Sequence, residues 1–169
     1  MNSSDRQLLL VIVSFLLLFA AGWPFYQYIF DVDGTGYAAV AELYAGGHWQ
    51  EAVNGYWSPL HSWLVIPLLK IGIPTISAFK ISNALLGVLI LVLFQKLLKR
   101  YAVPAMLHLP SLLTAVVLLL YYSWYELAAD LLLVALLMCY LHITGSEDFF
   151  TNRKKNIAAG VVGALAYLA

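Results

Sequence analysis

Charged side chains are scarce in this sequence of 169 residues. Only 11% are Asp, Glu, Lys or Arg, whereas 63% are hydrophobic, and an average soluble domain is about 25% charged. This composition predicts an integral membrane protein. The nine basic and nine acidic residues cancel, so no net charge is left to attract nucleic acid, and we expect no nucleic-acid partner.

Cysteine and the common catalytic motifs are nearly absent. The single cysteine, Cys139, lies in an apolar run and has no second cysteine to pair with. The sequence contains no G-x-x-x-x-G-K-[ST], C-x-x-C, H-E-x-x-H or G-x-S-x-G motif. These absences argue against nucleotide-driven transport, structural zinc and the common hydrolase elbows.

Long apolar runs dominate what remains. They predict an all-α integral membrane fold, a polytopic helical bundle with about five transmembrane helices and surface-lying juxtamembrane helices in the first outer loop. The last run is about a third short of the roughly 20 residues that cross a bilayer. We therefore expect residues 1–169 to be the N-terminal part of a longer module, or to be completed by a partner subunit. The predicted spans are 7–30, 76–98, 103–122, 126–143 and, incomplete, 156–169.

The segment 31–75 is predicted to be an extracytoplasmic loop with juxtamembrane helices. Residues 37–44 form an apolar stripe at helical spacing, and Gly46 and Gly47 are predicted to end that helix. The run 60–73 is interrupted by Pro67 and is short for a span. If it lies at the interface, most of the basic residues fall on the side of the N-terminus, which the positive-inside rule makes cytoplasmic.

Asp31 and Asp33 come directly after the first apolar run, where a charge is costly unless it faces water, protein or a ligand. In an extended segment both side chains would lie on one side, as a divalent-metal site or a phosphate-metal site requires. Alternatively, both end the first span and cap the next helix, where an acid is favoured by the helix dipole. The sequence leaves the two interpretations open.

Glu126 and Asp130 are four residues apart, so on a helix they would share one face near the outer mouth of the bundle. One interpretation is a second acidic cluster that helps to bind a metal. The other is a buried polar contact between helices. The candidate metal ligands are therefore Asp31, Glu126 and Asp130, with a divalent cation as the candidate cofactor.

Other polar and aromatic residues on the same side are candidates for substrate binding. His61 is a candidate phosphate contact or metal ligand, although a lone histidine is more often structural. Lys80, at the outer start of a span, could meet a lipid phosphate, although snorkelling is the simpler explanation. Tyr37 and Trp57 could stack on a sugar ring, whereas a membrane-interface belt explains most of the outer aromatic residues.

The order of motifs resembles the first outer loop of the GT-C membrane glycosyltransferases, most closely the glycosyltransferase family 39 type that includes the protein O-mannosyltransferases. The first span is followed by Asp31-Val-Asp33-Gly-Thr-Gly-Tyr37 and then by Trp57-Ser-Pro-Leu60. Further on, residues 126–133 resemble the acidic start of that fold's fourth span. Residues 160–167 resemble its fifth span.

This resemblance implies an enzyme that transfers a sugar from a polyprenyl-phosphate donor at the extracytoplasmic face of a membrane such as the bacterial inner membrane. It assigns the catalytic base to Asp33, with Asp31 as the other candidate. Relatives that transfer aminoarabinose carry Glu-Lys-Pro-Pro where this chain has residues 56–59, Tyr-Trp-Ser-Pro. Their metal-binding Glu and phosphate-contacting Lys therefore have no counterpart here.

A second class of function is a non-enzymatic polytopic membrane protein, such as a transporter subunit or an assembly partner, whose outer acids bind a cation. A transporter predicts polar residues that continue through the membrane midplane. Between residues 76 and 143, Asp130 is the one charge that lies deep in an apolar run. This pattern favours the enzyme.

Overall fold

The structure, a computed structural model, describes residues 3–169. Met1 and Asn2, with which the predicted module begins, lie outside the described residues. The described part consists of helices and connecting segments with no strand, so the all-α prediction is confirmed. The helices are α1 (Ser3–Tyr26), α2 (Gly34–Gly46), α3 (Trp49–Ala52), α4 (Pro59–Lys70), α5 (Thr75–Arg100), α6 (Ala105–Tyr125), α7 (Asp130–Thr144) and α8 (Arg153–Tyr167).

Three of these helices, α1, α5 and α6, are long and apolar enough to cross a membrane. α7 and α8 have 15 residues each, about 22 Å of helix. The structure therefore shows a helical membrane protein with three candidate spans.

The predicted span 126–143 began too early, because residues 126–129 are not helical and α7 starts at Asp130. The other predicted spans match α1, α5, α6 and α8 to within a few residues. The largest difference is in the first span, which was predicted to reach residue 30, whereas α1 ends at Tyr26.

One end of the bundle collects basic side chains. Lys99 at the end of α5 forms an ion pair of 3.1 Å with Asp5 at the start of α1. Arg100 donates a hydrogen bond to the carbonyl of His142 at the end of α7. We call this end, with Lys96, Lys99, Arg100, Arg153, Lys154 and Lys155, the basic end.

The opposite end holds the acids. The N–H of Asp31, after α1, donates to the carbonyl of Tyr125 at the end of α6 (2.9 Å), and the N–H of Leu60 donates to the carbonyl of Leu168, after α8 (3.2 Å). The C-terminal ends of α1, α6 and α8 therefore lie at this end of the bundle. We call this end, with Asp31, Asp33, Glu126 and Asp130, the acidic end.

α4 packs against α2 and also against α5. The hydroxyl of Ser62 near its start donates to the carbonyl of Tyr37 in α2 (3.3 Å). Just beyond its end, the hydroxyl of Thr75 donates to Glu42, also in α2 (2.6 Å). The start of α4 and the start of α5 are thus held against one short helix. The location of residues 60–73 at the membrane interface stays a prediction.

α5 is the central helix, because it packs against α1, α6 and α7. Large apolar side chains at those contacts form the main core, and Phe15 and Leu91 are fully buried in it. Burial removes apolar atoms from solvent or lipid and fills the space between helices, where van der Waals contact holds membrane helices together. The core places the end of α1, the start of α5 and the end of α6 side by side at the acidic end.

Gly22 allows the close approach of α1 to α6, and we expect Gly22→Ala to destabilise the protein. A Cβ at this position would lie 2.4 Å from the ring of Trp124, which is stacked on Tyr26 with 4.7 Å between ring centroids. Overpacking of this kind costs about 1–3 kcal/mol. A melting temperature in detergent that is unchanged from wild type would contradict this packing.

Gly160→Ala is the matched control, because a Cβ there meets nothing within 4 Å. Alanine is a better helix former than glycine by about 1 kcal/mol. We therefore expect Gly160→Ala to leave the melting temperature unchanged or to raise it.

Candidate functional site

The candidate site is organised by α2, whose start lies beside the linker between α6 and α7. Val40, Ala41 and Tyr44 are buried on one face of α2, as the stripe in the sequence predicts. Gly47 ends the helix in the left-handed conformation (φ 85°), which glycine adopts without strain. These features fix the buried face and the end of α2.

Asp31 holds two distant parts of the backbone together. One carboxylate oxygen accepts a hydrogen bond from the N–H of Leu127 (2.7 Å), and the other accepts from the N–H of Gly34 at the start of α2 (2.8 Å). A carboxylate that accepts backbone N–H groups satisfies donors that would otherwise be orphaned at a helix start. The structure therefore favours the capping interpretation of Asp31.

Lys80 and Asn83 hold the backbone on the other side of the site, Lys80 at the end of α6 and Asn83 in the linker that follows it. The ammonium of Lys80 donates to the carbonyls of Ile29 and Trp124. The amide of Asn83 donates to the carbonyl of Glu126 (2.7 Å). Both side chains are fully buried, so Lys80 lies behind the site in this structure, and its contact with a substrate phosphate stays a prediction.

Asp33 differs from Asp31 although it is only two residues away. It occupies the N-cap position of α2, but its side chain makes no capping hydrogen bond and is exposed. Residues 32 and 33 form a turn, so the extended arrangement that would align the two carboxylates is not present. Within residues 3–169, the Asp33 carboxylate is therefore free to contact a substrate.

Glu126 lies among the other acids of the site. Partial burial raises the pKa of its carboxyl, and the negative charges of Asp31, Asp130 and Asp33 raise it further. A raised pKa of this origin means that these carboxylates share one electrostatic environment. Glu126 therefore lies within electrostatic reach of the three other acids that the sequence singled out.

The predicted common helix face of Glu126 and Asp130 is wrong. Glu126 is extended, with φ −95° and ψ 130°, because its carbonyl and its neighbours' backbone groups bond to Asn83 and Asp31 instead of forming a helix. Asp130 is the first residue of α7 and is exposed. It is therefore not buried between helices.

Tyr37 and Trp57 form an aromatic wall one turn after Asp33. Their rings meet edge to face with 5.2 Å between centroids. Trp57 lies directly on Gly36, where a Cβ would come within 2.2 Å of its ring. Burial raises the pKa of the Tyr37 hydroxyl, as does the charge of Asp130. Tyr37 thus links the aromatic wall to the acids.

His61 lies beneath this wall. It is fully buried and contacts the ring of Phe79 edge to face with 4.9 Å between centroids. Burial lowers the pKa of its imidazole to about 4, although the backbone of Leu127 and Ala128 opposes part of the shift. Neither ring nitrogen reaches hydrogen-bonding geometry with a described residue. The imidazole is neutral at pH 7, and its contact with a substrate stays a prediction.

An apolar groove leads away from the acidic end between α6 and α7, which both pack on α5. Its volume is about 470 Å³, and Ile90 and Phe94 of α5 form its floor. Leu118 and Leu137 line its sides, and Asp130 lies at its border. An apolar groove along membrane helices suits a hydrocarbon chain.

The acids do not form a ready-made metal centre. Among residues 3–169, no three His, Cys, Asp or Glu side chains lie close enough together to hold a metal ion. In addition, both oxygens of Asp31 already accept backbone N–H groups. A divalent metal at Asp31, Glu126 and Asp130 stays a prediction.

Asn83 is the site residue that sequence analysis missed. A polar side chain three residues after Lys80, inside an apolar run, places both groups on one helix face. That spacing was the available signal.

Comparisons of this chain with protein-family models, with curated proteins and with solved structures find no significant match.

Proposed function

We propose that this chain is the membrane-embedded part of a glycosyltransferase that uses a polyprenyl-phosphate sugar as donor. The observation that carries the proposal is the difference in hydrogen bonding between two neighbouring acids. Asp31 is engaged by the N–H groups of Gly34 and Leu127, whereas Asp33 is exposed and makes no capping bond. Of this pair, Asp33 therefore keeps its carboxylate free beside the aromatic wall.

In the proposed reaction Asp33 is the general base. It takes the proton from the acceptor's hydroxyl or amine group as that group attacks the anomeric carbon of the sugar. The bond between this carbon and the phosphate oxygen breaks, and the polyprenyl phosphate leaves with the electron pair. Tyr37 and Trp57 offer an aromatic surface for the sugar. No step of this proposal uses a metal ion.

The groove between α6 and α7 supports a lipid-linked donor. It is apolar where it borders Leu118 and Leu137, and Asp130 connects its border to the acidic end. A polyprenyl chain in this groove would keep its phosphate near the membrane surface. The sugar would then reach the aromatic wall.

The proposal places five helices across the membrane, with α7 and α8 as short spans, and puts the acidic end outside. This orientation follows the positive-inside rule, because Arg100 and Lys154 lie at the opposite end. It corresponds to a cytoplasmic N-terminus and, in a bacterial inner membrane, to a periplasmic active site. The charged connection between α7 and α8 would be cytoplasmic.

Cysteine labelling tests this orientation. In a Cys139→Ala background, we expect an impermeant maleimide added outside to label His48→Cys and Ile71→Cys, since both positions are exposed near the acidic end. Glu147→Cys should be labelled only after the membrane is permeabilised. Labelling of Glu147→Cys in intact cells, or failure at Ile71→Cys alone, would contradict the topology.

The direct test of function is a transfer assay with a labelled polyprenyl-phosphate sugar, comparing the wild-type protein with the Asp33→Asn variant. Binding of the donor and release of polyprenyl phosphate are measured separately. Binding without release in the variant supports the proposal. Equal release by both proteins contradicts it.

A second candidate function is cation binding by a non-enzymatic membrane protein. The observation that favours it is the position of Glu126, whose pKa is raised first by burial and then by the charges of Asp31, Asp130 and Asp33. A bound cation would relieve this repulsion. A calcium-dependent rise in melting temperature, without sugar transfer by the wild-type protein, would favour this function over the enzyme.

A further inference from the structure

The basic end contains a cavity that the proposed function does not use. It has a volume of about 460 Å³ and lies between the end of α5, the end of α7 and the start of α8. Arg100, Lys154 and Lys155 line it, together with His142, Ser146 and Asn152. Three different helices thus contribute polar or charged side chains to one space.

The positive charge in this cavity is only partly compensated. Lys155 forms an ion pair with Asp148, and this pairing, with a hydrogen bond from Asn152, lowers the pKa of the Asp148 carboxyl to about 2. Arg100 uses one donor on the carbonyl of His142. Its other donors, like the ammonium of Lys154, have no hydrogen-bond partner among residues 3–169.

The start of α8 adds to the unfavourable charge. Its first turn contains no acidic residue, and it begins with Arg153, Lys154 and Lys155. Cations at a helix N-terminus are disfavoured by the helix dipole. Asn152 caps the helix by accepting from the N–H groups of Lys154 and Lys155, so the fold keeps this helix start despite its charge. Glu147, in the adjacent connection, is exposed and forms no ion pair within the described residues.

Arg100 is the side chain in this cavity best suited to a phosphate. It lines the cavity together with the imidazole of His142. Its planar guanidinium can pair with two phosphate oxygens at once. A ligand with several acceptor oxygens would therefore meet Arg100 and Lys154 in one space.

We propose that this cavity binds a phosphate group at the basic end of the bundle. The cavity lies at the ends of two apolar helices, α5 and α7, and its border includes Ile143 and Ala158. A phosphate at that depth, with apolar side chains beside it, is the position of an anionic phospholipid headgroup, and basic pockets between membrane helices bind such headgroups. A free phosphate ion offers the same chemistry from water.

Native mass spectrometry of the protein in detergent distinguishes the two sources. One sample is supplemented with phosphatidylglycerol, a second with phosphatidylcholine and a third with inorganic phosphate. Retention of phosphatidylglycerol identifies a lipid headgroup, and retention of inorganic phosphate alone identifies the free ion. Either result supports the site. Equal retention of the two lipids with no retention of phosphate would overturn it.

The double variant Arg100→Gln/Lys154→Gln locates the ligand. Each basic residue near an anionic headgroup contributes about fivefold to binding, so we expect retention to fall on the order of 25-fold. Arg153→Gln is the matched control, because it removes a charge from the same helix turn without lining the cavity. The melting temperature of each variant shows whether it is folded. A folded double variant that retains as much ligand as the control would contradict the proposal.

Discussion

Asp33→Asn should abolish sugar transfer while leaving folding and donor binding intact. Asparagine keeps the size of the side chain but cannot accept the acceptor's proton, and loss of a general base costs about 10² to 10⁴ in rate. Stability should not change, because Asp33 makes no capping hydrogen bond and Asn caps as well as Asp. Turnover with a saturating polyprenyl-phosphate sugar is the measurement.

Glu51→Gln is the matched control for the lost charge. Glu51 is an exposed acid of α3 whose side chain is 69% accessible, and it does not belong to the acidic end. We expect its turnover to equal that of the wild type. Near-normal turnover by Asp33→Asn would rule out Asp33 as the base and would direct attention to Asp130, the other exposed acid of the site.

Asp31→Asn should fail for a different reason. An amide has one acceptor oxygen, so the N–H of either Gly34 or Leu127 would face an NH₂ group instead of a carboxylate oxygen. We therefore expect this variant to lose stability, and with it activity. The comparison separates the two acids, because only Asp33→Asn should be stable and inactive.

Lys80→Met should destabilise the protein more than any other single change considered for the bundle. The substitution keeps the length of the side chain but leaves the carbonyls of Ile29 and Trp124 without their donor. A buried acceptor left without its donor costs about 1–3 kcal/mol, and two carbonyls are affected here. A loss of that size lowers the melting temperature on the order of 10 °C.

Lys70→Met makes the same chemical change at an exposed position at the end of α4. We expect it to change the melting temperature little, since exposed substitutions have small effects. The double variant Lys80→Met/Asp31→Asn should lose less stability than the sum of the two single variants, because both residues connect the segment after α1 to the end of α6 or to the linker that follows it. Strict additivity, or a stable Lys80→Met protein, would show that Lys80 does not hold these segments together.

The amino-acid sequence alone determined the class of fold and the grouping of charges. Apolar runs of membrane length predicted α1, α5 and α6 to within a few residues, because a helix is the simplest way to satisfy backbone polar groups in lipid. The buried stripe of α2 and its end at Gly47 were also readable, since both depend on local spacing and on one glycine. Pro67 and the distribution of basic residues predicted an interfacial location for residues 60–73, whereas the packing of α4 on α2 came only from the structure.

Only the tertiary structure decided what each polar side chain does. Asp31 and Asp33 look equivalent in the sequence, yet Asp31 is bonded to Leu127, 96 residues away, and Asp33 is left free. Glu126 is extended rather than helical because Asn83 and Asp31 hold the backbone around it. The basic cavity likewise joins residues of α5, α7 and α8. Such partners are far apart in the chain, and local sequence patterns carry no information about contacts that packing alone creates.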